Sequence, residues 1–94
     1  MPSAKLDYPF GVDVAVYKVK DKMFALIREK KDPVQLSLKC DPVLAETLRQ
    51  KYETVLPGYH LNKKHWNTVV LTGQLSWDEV KDLILLSYNL VAKT

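Results

Sequence analysis

Val12-Asp13-Val14-Ala15-Val16-Tyr17, then Lys18-Val19-Lys20-Asp21-Lys22, then Met23-Phe24-Ala25-Leu26-Ile27 decide the fold. The first run puts valine at every second position, the period of a half-buried strand, and the last is β-prone throughout. The segment between them, Lys18 to Lys22, is short enough for a hairpin. Downstream, Arg28 to Pro33 ends in the turn-favouring pair Asp32-Pro33, after which Val34, Leu36 and Leu38 alternate with Gln35, Ser37 and Lys39 as a third strand. Asp41-Pro42 then opens a helix, because the carboxylate accepts orphan amide protons and proline's fixed φ suits the first helical position. Leu44, Ala45, Leu48 and Tyr52 share one face of it. Pro57-Gly58 ends that unit, Trp66 to Leu71 reads as a fourth strand, and Ser76-Trp77-Asp78-Glu79 is a capping box for a last helix. Val80, Leu83, Ile84, Ser87, Tyr88 and Val91 form the inward stripe of that helix. The expected fold class is α+β: a single antiparallel β-sheet in the order β-β-β-α-β-α, with the helices packed on one face.

Composition sets the scale. A chain of 94 residues, 47% apolar and 27% charged, has the profile of one globular domain, and residues 1–94 are read as such. Nothing near the start combines a basic segment with an apolar run, and Leu83 to Leu86 falls far short of the roughly 18 residues of a membrane span, so a soluble cytoplasmic monomer with no membrane partner is expected. The one cysteine, Cys40, cannot form an internal disulfide, in keeping with a reducing compartment.

The net charge of +3 is unevenly distributed. Gly11 to Cys40 carries seven Lys or Arg against four acids, and Thr54 to Leu75 carries Lys63 and Lys64 against none. Asp41 to Glu53 and Ser76 to Thr94 each sum to minus one. Basic strand loops and mildly acidic helices suit an anionic partner. They equally suit solvated lysines that keep strand edges from aggregating.

Pro57-Gly-Tyr-His-Leu-Asn-Lys-Lys-His-Trp-Asn-Thr68 is the densest chemistry in the chain and contains no acid. Lysines and asparagines there suit phosphate, while Tyr59 or Trp66 suits stacking on a ring, so Tyr59, His60, Asn62, His65, Trp66 and Asn67 form a candidate pocket for an anionic or aromatic group. Each has a plainer reading: Trp66 as a core anchor, Asn62 and Asn67 as turn closers, and Lys63 and Lys64 as solvated charges. His60 and His65 are spaced as in no established zinc pattern, so no metal or other cofactor is expected. Cys40, ending a half-buried strand, reads as an inert small hydrophobe, so no catalytic residue is assigned and the chain is not read as an enzyme, the remote alternative being a Cys40 nucleophile with His60 or His65 as base.

Pro9-Phe10-Gly11, Val16-Tyr17-Lys18-Val19, Lys22-Met23-Phe24-Ala25, Leu38-Lys39-Cys40-Asp41-Pro42, the Pro57–Thr68 block and Ser87-Tyr88-Asn89-Leu90-Val91 together resemble the MmcQ/YjbR-like family, from about Tyr8 to Val91. The resemblance implies a double-wing α+β domain, described as DNA-binding by structural analogy. Relatives usually carry a full helix ahead of Pro-Phe-Gly, where only Met1 to Tyr8 stand here. The sheet region under that helix would be exposed, covered by another element or used in self-association.

On that resemblance the wings are the hairpins Lys18 to Lys22 and Arg28 to Pro33. Their Lys18, Lys20, Lys22, Arg28, Lys30 and Lys31 are candidates for phosphate contact, joined by Lys63 and Lys64 if that loop lies at the same end of the sheet. The helices show no pattern of exposed Arg, Asn and Gln for reading bases, and Glu46, Glu53, Asp78, Glu79 and Asp82 would repel phosphate. The expectation is DNA binding that is weak, salt-sensitive and poor at discriminating sequence. The alternative is a protein- or small-ligand-interaction module using the Tyr59–Trp66 loop.

Overall fold

The computed structural model describes residues 3–58 and 61–93. In chain order the elements are β1 (Lys5–Asp7), β2 (Ala15–Val19), β3 (Lys22–Arg28), β4 (Gln35–Lys39), α1 (Pro42–Lys51), β5 (Val55–Pro57), β6 (Trp66–Val70) and α2 (Trp77–Ala92). The six strands form one antiparallel sheet in the order β1-β2-β3-β4-β6-β5, and the class is α+β as expected. Two elements are additional to those expected: β1 and β5, the outer strands, each of three residues. Pro57 is tolerated in β5 because an edge strand has an unpaired side on which a missing N–H costs nothing. The first long strand begins at Ala15 instead of Val12, which is 78% exposed.

Both helix starts form as their sequences dictate. The Asp41 carboxylate accepts from the backbone N–H of Val43 at 3.1 Å and of Leu44 at 3.2 Å. Ser76 Oγ accepts from Glu79 N, and the Glu79 carboxylate accepts from Ser76 N, each at 3.1 Å. These two backbone donors would otherwise be orphans, so the exchange fixes where α2 begins. Glu79 also accepts from Tyr52 Oη at 2.9 Å, which ties the end of α1 to the start of α2.

Strand register sorts the side chains onto two faces. Leu36, Leu38, Val55 and Val69 point toward α1 and α2 and join Val80 and Val91 in the main core. In β3, Tyr17 pairs with Ala25 but Lys18 pairs with Met23, so Phe24 is an extra residue, a β-bulge. The bulge turns Phe24 onto the helix face, where its ring meets Tyr88 edge-on at 5.5 Å and 82°. The other face bears a smaller core of Val14, Val16, Leu26 and Trp66, against which Met23 and Leu61 pack. Ser37 and Thr68, buried on that face, satisfy each other through a hydroxyl–hydroxyl bond of 2.8 Å. Trp66 and Asn67, adjacent in β6, therefore point to opposite sides of the sheet.

Candidate functional site

Antiparallel pairing fixes where the cations go. The turn joining β2 to β3 lies at one end of the sheet and the connection from β3 to β4 at the other, because consecutive hairpins share a strand and leave it at opposite ends. The length of β3, Lys22–Arg28, separates them by roughly 20 Å at about 3.3 Å per residue. Lys20 and Lys22 stand at the first end, whereas Arg28, Lys30 and Lys31 stand at the second. The two hairpin groups are therefore not brought together.

Lys63 and Lys64 do join the first end. Trp66, at the start of β6, pairs with Lys39 at the end of β4, and that end adjoins the start of β3. Lys39 and Lys5 add to the same end. Lys39 holds its ammonium 5.6 Å from the centre of the Trp66 ring, a cation–π contact that anchors its aliphatic stem along the sheet. Lys5 is the cross-strand partner of Lys18. Lys39 was legible in the sequence, as the outward residue next to Leu38; Lys5 was not, because nothing in three residues announces a strand.

The tight turn is made by Lys20 and Asp21, at φ 54° and 62°, the left-handed pair of a type I′ hairpin. Asn62 Oδ1 accepts from Lys64 N at 2.9 Å, closing the turn before β6. Lys63 Nζ donates to Gly58 O at 3.1 Å, and Arg49 Nη1 donates to Lys63 O at 3.1 Å, which pins the loop to α1. Gly58 runs directly over Trp66: a Cβ there would lie 2.6 Å from Trp66 Cβ, while Gly58 N donates to Trp66 O at 2.9 Å. A glycine is needed for that close approach.

At the first end, Lys18 approaches Asp7 at 3.9 Å, Asp21 sits in the turn, and the Asp41 carboxylate is engaged in capping α1. The second end differs. Lys30 is held by Asp13 at 2.8 Å, and that hydrogen bond and charge raise the lysine pKa. Glu29 and Asp32 interleave with Arg28, Lys30 and Lys31, and the acidic first turn of α2, Asp78 and Glu79, starts beside the end of β6.

Of the six residues of the candidate loop pocket, the four described ones do not share one concavity. Tyr59 and His60 lie outside the described residues. Asn62 and His65 are exposed, Trp66 is 5% exposed on one face, and Asn67 is 3% exposed on the other. Trp66 is a core anchor because its ring fills the space that Val14, Val16 and Leu26 leave on the helix-free face. Cys40 is buried, and desolvation, with the nearby Asp41 charge, pushes its thiol up to about 11, so it is a protonated and poor nucleophile. Among the described residues no group of His, Cys, Asp and Glu could hold a metal ion, and no helix is long and apolar enough to cross a membrane.

These features define a class: a small antiparallel sheet with two helices on one face and a lysine-rich end. A sequence model of the YjbR family matches residues 1–90, and the chain belongs to that family. It is 38% identical to the uncharacterized protein YbdF of Escherichia coli O157:H7 over 97% of this chain and 75% of YbdF. It is 45% identical to the uncharacterized protein YjbR of Escherichia coli strain K12 over 77% of this chain and 61% of YjbR. Among solved structures, Deinococcus radiodurans protein DR2400, described as a DUF419 domain, superposes with a TM-score of 0.95 at 42% identity, over all of this chain and 72% of that one. A Pseudomonas syringae protein superposes with a TM-score of 0.79 at 36% identity, over 94% of this chain and 86% of that one.

Proposed function

We propose that this chain is a non-enzymatic nucleic-acid-binding module that grips phosphates weakly and with little base preference. The gripping surface is the end of the sheet bearing Lys18, Lys20, Lys22, Lys63 and Lys64, flanked by Lys5 and Lys39. The observation that carries this reading is the convergence of cations from the β2–β3 turn, the end of β4 and the loop before β6 on one end of the sheet. Lysines act as point charges toward phosphate and carry no base-reading geometry, which supports low sequence discrimination. Arg28, Lys30 and Lys31 lie too far away, and too close to acids, to serve the same stretch of backbone.

The test is a fluorescence-anisotropy titration with a short duplex and a single strand. Three to four neutralised phosphates give a log–log salt slope of about −2.7 to −3.6, so duplex affinity is expected to fall on the order of 40- to 150-fold between 50 and 200 mM salt. A salt-independent affinity, or none at 50 mM salt, would remove the reading.

A further inference from the structure

The helix face of the sheet is not fully covered. Leu44 and Leu48 of α1 face Leu83 and Leu86 of α2 across a groove of about 390 Å³ whose floor includes Leu38 and Asn67. That volume falls in the range of small-molecule sites, roughly 300 to 1,000 Å³. Leu86 remains 51% exposed along it.

Asn67 makes the groove more than an apolar cleft. It is 3% exposed, and its Nδ2 donates to the carbonyl of Ala45 at 3.1 Å. That carbonyl can only accept, so the amide nitrogen must face it and the amide oxygen must turn away. Asn67 Oδ1 is then left buried with no partner among the described residues. Buried carbonyls of this kind are rare, because desolvation without a hydrogen bond is unfavourable. Two other polar groups of the groove are already engaged: Ser87 Oγ donates to Lys39 O at 2.5 Å, and the Asp41 carboxylate caps α1. Lys39, Asp41 and Lys93 also contribute to the lining, and the Cys40 thiol, its pKa raised by burial, is protonated.

We propose that the groove between α1 and α2 binds a small, largely apolar molecule through one N–H or O–H donor that meets Asn67 Oδ1. A purely apolar ligand would leave the oxygen unpaired. The site is distinct from the lysine end, and loss of either leaves the other standing.

Indole and 1-methylindole differ in the donor alone and probe this directly. The whole chain, labelled at leucine methyls and side-chain amides, is titrated with each by NMR. Indole is expected to shift the Asn67 amide with the Leu44, Leu83 and Leu86 methyls, and 1-methylindole to bind roughly three- to tenfold more weakly, the worth of one neutral hydrogen bond. Leu86→Trp, at a half-exposed position, should fill the groove and abolish binding while the amide spectrum stays folded. Equal affinity for the two probes, shifts outside the groove, or no binding of indole overturns the proposal. Groove shifts that grow with protein concentration alone, marking a second copy as the occupant, overturn it as well.

Discussion

At the end of the sheet where β2 turns into β3, Lys20, Lys22, Lys63 and Lys64 are exposed, drawn together from segments far apart in sequence. At the opposite end Arg28, Lys30 and Lys31 are contiguous in sequence with Glu29 and Asp32, and Lys30 is already paired with Asp13 at 2.8 Å. Both ends looked alike as runs of lysine. What separates them is topology: hairpins that share a strand cannot place their tips together, whereas antiparallel pairing returns β6 to the end where β3 begins. Proximity in sequence thus misleads about which charges a polyanion meets, and the ladder decides it.

The largest expected effect comes from reversing charge at one end at a time. Lys20→Glu with Lys22→Glu and Lys64→Glu is expected to lower duplex affinity on the order of a hundredfold at low salt, through lost phosphate contacts and new repulsion. Arg28→Glu with Lys30→Glu and Lys31→Glu is expected to change it less than about threefold in the same anisotropy assay, since long-range repulsion is screened beyond about 10 Å. Equal losses would erase the difference between the ends.

Gly58→Ala comes next. The added methyl group meets Trp66 Cβ and the Trp66 carbonyl, and neither can move without displacing β6, so a loss of about 1–3 kcal/mol is expected in urea unfolding. Binding should weaken too, because Gly58 O holds Lys63.

Ser76→Ala at the acidic end removes the reciprocal cap of α2 and is expected to cost about 1 kcal/mol. The same cap predicts a pH dependence. Hydrogen bonds from the Ser76 backbone, then Tyr52 and the Ser76 hydroxyl, hold the Glu79 carboxyl below its usual range. A depressed folded-state pKa stabilises the fold above the unfolded value and loses that stability as pH falls through the folded value. Thermal melts from pH 6 downward should therefore fall less steeply for Glu79→Gln than for the parent.

Smallest of all, Asp13→Asn is expected to leave stability unchanged within error in the same melts, because its pair with Lys30 is exposed on both sides. A clear destabilisation would mean that the second end is built as firmly as the first.

Much of the fold was legible in the sequence, and the reasons are local. Ser76 and Glu79 name their helix start, Asp41-Pro42 names another, and Leu36 and Leu38 name the inward face of β4, because capping and two-residue alternation are set by near neighbours. β1 and β5 escaped because three residues at a sheet edge carry no period. The bulge at Phe24 escaped because it depends on how β2 and β3 pair, not on either alone. The candidate site was legible as composition, in Lys63 and Lys64, but not as geometry. The same two residues meet Lys20 only through the sheet, and Asn67 belongs with α1 and not with Trp66 for the same reason.

The most direct test of the one-ended lysine surface is a ¹⁵N NMR titration of the chain with a short duplex at low and at moderate salt. Shift changes confined to Lys20, Lys22, Lys63, Lys64 and their neighbours, shrinking steeply as salt rises, are the predicted result. Changes centred on Lys30 and Lys31, or none at low salt, would contradict it.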